Sequence, residues 1–125
     1  MVFSGSYQRA LDIYYELAQN DFIDCNLDLG GLNLAYIDES YSDDELLAKA
    51  VEKCLWGAFY NSGESRTAVE SILVHESLAS RFTNSLSEAV YNTLVLGNPR
   101  QDSTNYGCTS AAESIQRYED VVADA

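Results

Sequence analysis

The sequence predicts an α/β fold, and three observations carry that expectation. Short β-branched or apolar runs alternate with longer stretches of helical periodicity, in the order β-α-β-β-α-β-α-α. Two S-x-x-E capping boxes, at Ser42–Glu45 and Ser110–Glu113, stand ahead of apolar-periodic segments. Glycine clusters then punctuate the ends of the apolar runs.

The elements follow in chain order. Val2 and Phe3 read as the tail of a short strand. Ser6 can cap a helix whose apolar positions Leu11, Tyr14, Tyr15 and Ala18 recur at helical spacing, with Asn20 at its end. Phe22 to Leu29, including Cys25, is strand-like and stops at Gly30 and Gly31. Leu34 to Ile37 reads as a third strand before the acidic stretch DESYSDDE. The box at Ser42 precedes Leu46, Leu47, Ala50, Val51, Cys54, Leu55, Ala58 and Phe59, the strongest helical pattern in the chain. Val69 to His75 reads as a strand, and Ser77 can cap a helix in which Leu78, Phe82, Leu86, Val90 and Leu94 fall every fourth residue. Gly97, Asn98 and Pro99 stop it. The second box opens a last helix through Ile115, Tyr118 and Val122. Tyr14, Tyr15, Trp56 and Phe59 are expected as core and rim rather than as a ligand cage.

Size and charge narrow the functional classes. A chain of 125 residues with 46% hydrophobic residues is long enough to bury a core as one domain. Seven basic against 20 acidic residues give a net charge of -13, which repels phosphate backbones and anionic membrane surfaces, so neither nucleic acid nor membrane is expected as a partner. No run approaches the length of about 18 apolar residues that a span requires, and the start MVFSGSYQR lacks a basic segment followed by an apolar one. A soluble, cytoplasmic chain is the expectation. Cys25, Cys54 and Cys108 are too few and too widely spaced for a disulfide framework or a zinc site, and no metal is expected. The acids Asp38, Glu39, Asp43, Asp44 and Glu45 lack calcium-loop spacing and read as complements to the positive end of the following helix. His75, the sole histidine, is not accompanied by a G-x-S-x-G elbow, which argues against a serine hydrolase.

Four stretches stand in one order: FSGS at 3–6, LDLGG at 27–31, GAFYNSGESRTAVE at 57–70 and VLGNP at 95–99. Together they resemble the middle of the aldehyde dehydrogenase superfamily, with its F-T-G-S turn, L-E-L-G-G strand end, F-x-N-x-G-Q-x-C loop and L-G-D-P turn. The resemblance covers nearly the whole chain. It implies a central fragment of that fold, with residues 1 to about 29 like the end of the cofactor-binding domain and about 30–125 like the start of the catalytic domain. It also implies NAD or NADP as cofactor. Those enzymes attack an aldehyde with a cysteine thiolate, pass hydride to the nicotinamide and use a glutamate to activate the hydrolytic water.

Matched residue by residue, the nucleophile position is Arg66 and the general-base position is Asp28. A guanidinium remains protonated and offers no lone pair, so Arg66 cannot replace a thiolate. Asp28 is one methylene short. Glu64 stands at the glutamine position, Leu32 and Leu34 replace the usual lysine and proline, and Cys108 replaces the proline after Gly107. Gly5, Ser6 and Gly30 match cofactor-binding positions, with Gly5–Ser6 at a helix N-terminus able to hold a pyrophosphate. Ala10 stands where a second glycine is usual, and Tyr7 brings a ring beside the phosphate path. The expectation is a truncated, inactive relative of these oxidoreductases. The alternative is a non-catalytic interaction or regulatory module, pairing with itself or with a full-length homologue through exposed sheet edges.

Overall fold

The computed structural model describes residues 1–20, 23–108 and 112–124. The chain divides into two compact units, Met1–Leu32 and Asn33–Ala125.

In the first unit a strand β1 (Val2–Gly5) leads into helix α1 (Tyr7–Asn20) and then β2 (Asn26–Leu29). β1 and β2 are parallel, with Phe3 opposite Leu27 and Gly5 opposite Leu29. Parallel neighbours need a crossover, and α1 supplies it. Side chains alternate across a strand, so Phe3, Leu27 and Leu29 take the half-buried face while Ser4 and Asp28 take the exposed one. The helix inserts Ala10, only 1% exposed, with half-buried Leu11, Ile13 and Leu17 beside it. Its buried stripe therefore includes Leu11 but not the expected Tyr14, Tyr15 and Ala18. Tyr14 and Tyr15 are exposed and meet edge to face at 6.2 Å, because the small Ala10 sets the close approach and turns both rings outward. The expected strand start at Phe22 lies outside the described residues, and Cys25 precedes β2 instead of lying within it.

The second unit begins with β3 (Leu34–Ile37), crosses through helix α2 (Asp44–Phe59) and returns as β4 (Ser71–Val74), parallel to β3. Helix α3 (Ala79–Thr93) packs against α2, and α4 (Ala112–Asp124) follows. Ile37 from the sheet, Leu47, Ala50, Val51 and Cys54 from α2, Leu78 ahead of α3 and Phe82 within it form the core. Ala35, Ile72, Val74, Leu86 and Ala89 pack around it. The every-fourth-residue pattern of α3 is thus its buried stripe. That helix ends at Thr93, before the expected Gly97 stop, because Leu94 leaves the helical region with ψ 120° while its N–H still bonds to Val90.

Two expected caps move by one or two residues. Asp43 caps α2, accepting the Glu45 and Leu46 N–H groups at 2.9 and 3.2 Å, while Ser42 lies in a 3₁₀ turn (Glu39–Ser42). A carboxylate is the stronger acceptor for orphan N–H groups, and it also meets the positive helix end. His75 rather than Ser77 caps the 3₁₀ turn Glu76–Leu78 that precedes α3; its Nδ1 accepts from the Ser77 N–H. Arg81 donates to the Ser42 carbonyl at 3.0 Å and pairs with the Asp44 carboxylate, joining the two helix starts. Of the box ahead of α4, Ser110 and Ala111 lie outside the described residues. The strand expected over Val69–His75 shortens to Ser71–Val74 because the Val69 N–H turns to the Gly57 carbonyl at 2.9 Å.

Phe82 is 2% exposed and Tyr91, on the same helix, 87%. Denaturant unfolding of Phe82→Ala is expected to lose about 3–5 kcal/mol, whereas Tyr91→Ala should stay within about 0.5 kcal/mol. Equal losses would contradict the packing described.

Candidate functional site

In the first unit, Gly5 and Ser6 form the turn from β1 into α1. The Ser6 hydroxyl accepts the Arg9 N–H at 3.4 Å, and the Ser6 carbonyl accepts from Ala10 at 3.0 Å. Gly5 has a local reason to lack a side chain: a Cβ there would lie 2.8 Å from the Phe3 ring. Asp28 pairs in register with Ser4, one residue before the strand end, on the exposed face of the ladder. Gly30 follows β2 in open space, where an added Cβ would meet nothing within 4 Å. Helix N-termini in general favour anions through their first N–H groups, and here the Arg9 N–H is already taken by the Ser6 hydroxyl. Ala10 is already packed at 1% exposure, and Asp28 puts a carboxylate beside the sheet end.

In the second unit the loop after α2 is shaped by its backbone. Asn61, Ser62 and Gly63 have φ of 53°, 58° and 74° in succession, a left-handed run that costs energy for residues with a Cβ. At Gly63 a Cβ would come within 3.1 Å of the Ala58 carbonyl. The run reverses the chain at the end of α2, and a second loop clamps it. Tyr106 donates its hydroxyl to the Ser62 carbonyl, and the Gly107 N–H reaches the Ser62 hydroxyl, both at 3.1 Å. Phe59 meets the Tyr106 ring edge-on at 6.0 Å, while Trp56 is exposed and lies against Tyr60 at 4.9 Å. No periodicity or motif in the sequence marks Tyr106; its neighbour Gly107 falls within the family resemblance.

Arg66 sits three residues beyond Gly63, on a turn at the surface. Its carbonyl accepts the Asn33 side-chain amide at 2.6 Å, and the Ser65 carbonyl accepts from Ala68 at 2.9 Å. A cavity of about 350 Å³ lies beside the loop, bordered by Ser62, Glu64, Tyr106 and Gly107 and, from α4, by Ser114, Ile115 and Tyr118. Arg66 is not on its wall.

The three cysteines lie outside the loop between α2 and β4. Cys54 is buried within α2, and burial pushes its thiol above the ordinary value. Cys25 is half-buried in the first unit, donating to the Ile23 carbonyl at 3.4 Å. Cys108 is exposed beside Gly107. His75 Nδ1 lies 2.8 Å from the Ser77 hydroxyl and Nε2 lies 3.9 Å from Glu39. That serine, histidine and carboxylate form a capping turn, since the same Nδ1 takes the Ser77 N–H. The acidic stretch is likewise spent on structure: Asp43 caps α2, Asp44 pairs with Arg81, and Glu45 pairs with Lys49. The Ser40 hydroxyl and N–H hold the Asp38 carboxyl below its usual value, with His75 adding to the effect. No group of three potential metal ligands occurs among the described residues.

The left-handed run predicts that Gly63→Ala lowers unfolding stability by about 1–2 kcal/mol, with no change expected in folded helix content; an unaffected midpoint would contradict the strained turn. Alkylation of the native chain with iodoacetamide is expected to modify Cys108 well before Cys54, because a buried thiol with a raised pKa carries little thiolate. Equal rates at both positions would contradict the packing of α2.

The family model for the aldehyde dehydrogenase family matches residues 1–125. The lactaldehyde dehydrogenase of Methanococcus aeolicus is 34% identical over 96 residues, which is 77% of this chain and 20% of that protein. The 4,4'-diapolycopene-4,4'-dial dehydrogenase of Cytobacillus firmus is 33% identical over 115 residues, 92% of this chain and 24% of that one. Among solved structures, gamma-glutamyl-gamma-aminobutyraldehyde dehydrogenase from Burkholderia cenocepacia superposes with a TM-score of 0.83 at 27% identity, covering 97% of this chain and 24% of that one. Betaine aldehyde dehydrogenase from Staphylococcus aureus, solved with NAD+, gives 0.80 at 29% identity, covering 96% and 23%. The chain therefore spans between a fifth and a quarter of the length of these relatives. With the α/β order, the loop after α2 and a family match over all 125 residues in agreement, the chain belongs to the aldehyde dehydrogenase family.

Proposed function

We propose that this chain derives from an NAD- or NADP-dependent aldehyde dehydrogenase, an oxidoreductase converting aldehydes to acids, and that it does not itself catalyse the reaction. The observation that carries this reading is the guanidinium at position 66. Oxidation of an aldehyde by the family's chemistry begins with addition of a thiolate to the carbonyl carbon. A protonated guanidinium has no electron pair to form that bond, and Arg66 points the reading away from covalent catalysis. Asp28 at the base position could accept a proton from water, but a shorter arm reaches less far, and there is no acyl intermediate for that water to attack. The division into a cofactor-domain-like part, residues 1–29, and a catalytic-domain-like part, residues 30–125, belongs to this proposal, as does a cytoplasmic location. Cofactor use by relatives solved with NAD+ supports the family-level assignment.

A second reading, a non-catalytic module that pairs with a full-length relative, is favoured by exposed apolar faces. Leu34, Tyr36 and Leu73 line the outer face of β3 and β4, and Ile115, Tyr118 and Val122 lie exposed on α4. Parallel sheets are ordinarily covered on both faces, so an open apolar face invites association.

The first reading is tested with the purified chain and its Arg66→Cys and Arg66→Cys/Asp28→Glu variants. No thermal midpoint shift is expected in millimolar NAD, whereas a ligand held a hundredfold above its Kd would add about 2.7 kcal/mol. Neither variant is expected to gain aldehyde-dependent NADH formation. A midpoint shift in NAD, or aldehyde-dependent turnover by the unsubstituted chain, would contradict this reading. Light scattering with a full-length relative tests the second reading, and a chain that stays monomeric in the mixture would count against it.

A further inference from the structure

Two short turns pack together at the carboxyl ends of β3 and β4, and one titratable ring joins them. The paired register ends with Ile37 opposite Val74, so Asp38 and His75 are the next residues of neighbouring strands. The His75 N–H bonds to the Ile37 carbonyl at 2.8 Å, which holds its backbone to the sheet. Each of the two residues then caps the 3₁₀ turn that follows it. Asp38 takes the Ser40 N–H at 2.7 Å, and His75 Nδ1 takes the Ser77 N–H at 3.4 Å. The second turn leads directly into the core, because the Leu78 N–H bonds to the His75 carbonyl at 2.9 Å and Leu78 is buried ahead of α3.

A proton acts differently on the two caps. A carboxylate accepts throughout the neutral range, whereas an imidazole nitrogen accepts only while it carries no hydrogen. Histidine is also the side chain whose ordinary titration falls between about pH 5 and 8. Nδ1 of the neutral ring can hold the Ser77 N–H only with the ring hydrogen on Nε2, which lies 3.9 Å from the Glu39 carboxylate. Once protonated, Nδ1 is a donor, and the Ser77 hydroxyl at 2.8 Å can receive it while the Ser77 N–H cannot.

The charges around the ring suit that exchange. Glu39 faces it from the first turn and Glu76 adjoins it in the second. Asp38 is near enough that His75, after the Ser40 hydrogen bonds, helps hold its carboxyl below the usual value. The charged groups at the neighbouring helix starts are engaged elsewhere: Arg81 of α3 with Asp44 and the Ser42 carbonyl, and on α2 Asp43 in capping and Glu45 with Lys49.

We propose that His75 is a proton-operated cap at the start of α3. Neutral, its Nδ1 holds the Ser77 N–H; protonated, it releases that bond, donates from Nδ1 to the Ser77 hydroxyl and pairs through Nε2 with Glu39. Acidification thereby loosens the turn ahead of Leu78 and ties His75 to the turn that Asp38 caps.

The test is an NMR titration of the full chain, labelled with nitrogen-15, from about pH 8 to about pH 5, following the His75 ring nitrogens and the Ser77 amide. At the upper end the ring is expected to carry its hydrogen on Nε2. As the ring takes up its second proton, the Ser77 amide proton should move upfield with the same midpoint. Its exchange protection, corrected for the intrinsic rate at each pH, should fall about fivefold, as for loss of one neutral hydrogen bond. His75→Asn keeps an acceptor at the cap but takes no proton, and its Ser77 amide is expected to stay protected across the whole range. A neutral ring with its hydrogen on Nδ1, a Ser77 amide that stays still while the ring titrates, or the same amide step in His75→Asn would overturn the proposal. If the variant fails to fold, the ring and amide of the unsubstituted chain decide the matter by themselves.

Discussion

The second unit depends on one steric fit: the chain leaving α2 must turn back and pass against that helix to enter β4 beside β3. Gly57 makes the passage possible, since a Cβ there would lie 3.0 Å from the Val69 side chain, and the Gly57 carbonyl receives the Val69 N–H. The left-handed run from Asn61 to Gly63 provides the reversal. With the crossover closed in this way, Ile37, Val51, Cys54 and Phe82 come together as one core. The bonds from Glu70 and Ser71 to the Asn33 carbonyl then start the ladder at its first residue. A parallel pair cannot be joined by a tight turn, so without this return there would be no sheet for the helices to cover.

The same geometry explains how the loop keeps its form with an arginine at position 66. Its supports are the Gly63 backbone, the Ser62 carbonyl and hydroxyl, and the Tyr106 hydroxyl. Residue 66 contributes a carbonyl to Asn33, which an amino acid of any type would provide. The contacts that clamp Ser62 therefore come from Tyr106 and Gly107 rather than from residue 66.

Much of this is legible in the sequence. The order of strands and helices follows from periodicity because α2 and α3 are long and one-sided, and the four family motifs lie where the chain turns. Cap positions were less legible. Asp43 and His75 outcompete the neighbouring serines through stronger acceptor groups, a contest between adjacent residues that a capping-box pattern does not resolve. Periodicity does not reveal the buried face of α1, because two tyrosines outweigh one alanine in apolar area whereas close packing favours the smaller Ala10. The Tyr106–Ser62 clamp spans 44 positions and leaves no local periodic signal. Arg66 and Asp28 were visible as departures from a motif, but their distinct settings, a surface turn and the exposed face of a parallel pair, required the structure.

We propose that this member of the aldehyde dehydrogenase family keeps the loop after α2 without the family's reaction. The most direct measurement is aldehyde-dependent NADH or NADPH formation by the purified, folded chain, followed by absorbance over many protein equivalents. The account predicts no more reduced cofactor than a protein-free control produces. Sustained turnover that depends on aldehyde and scales with the amount of chain would contradict it.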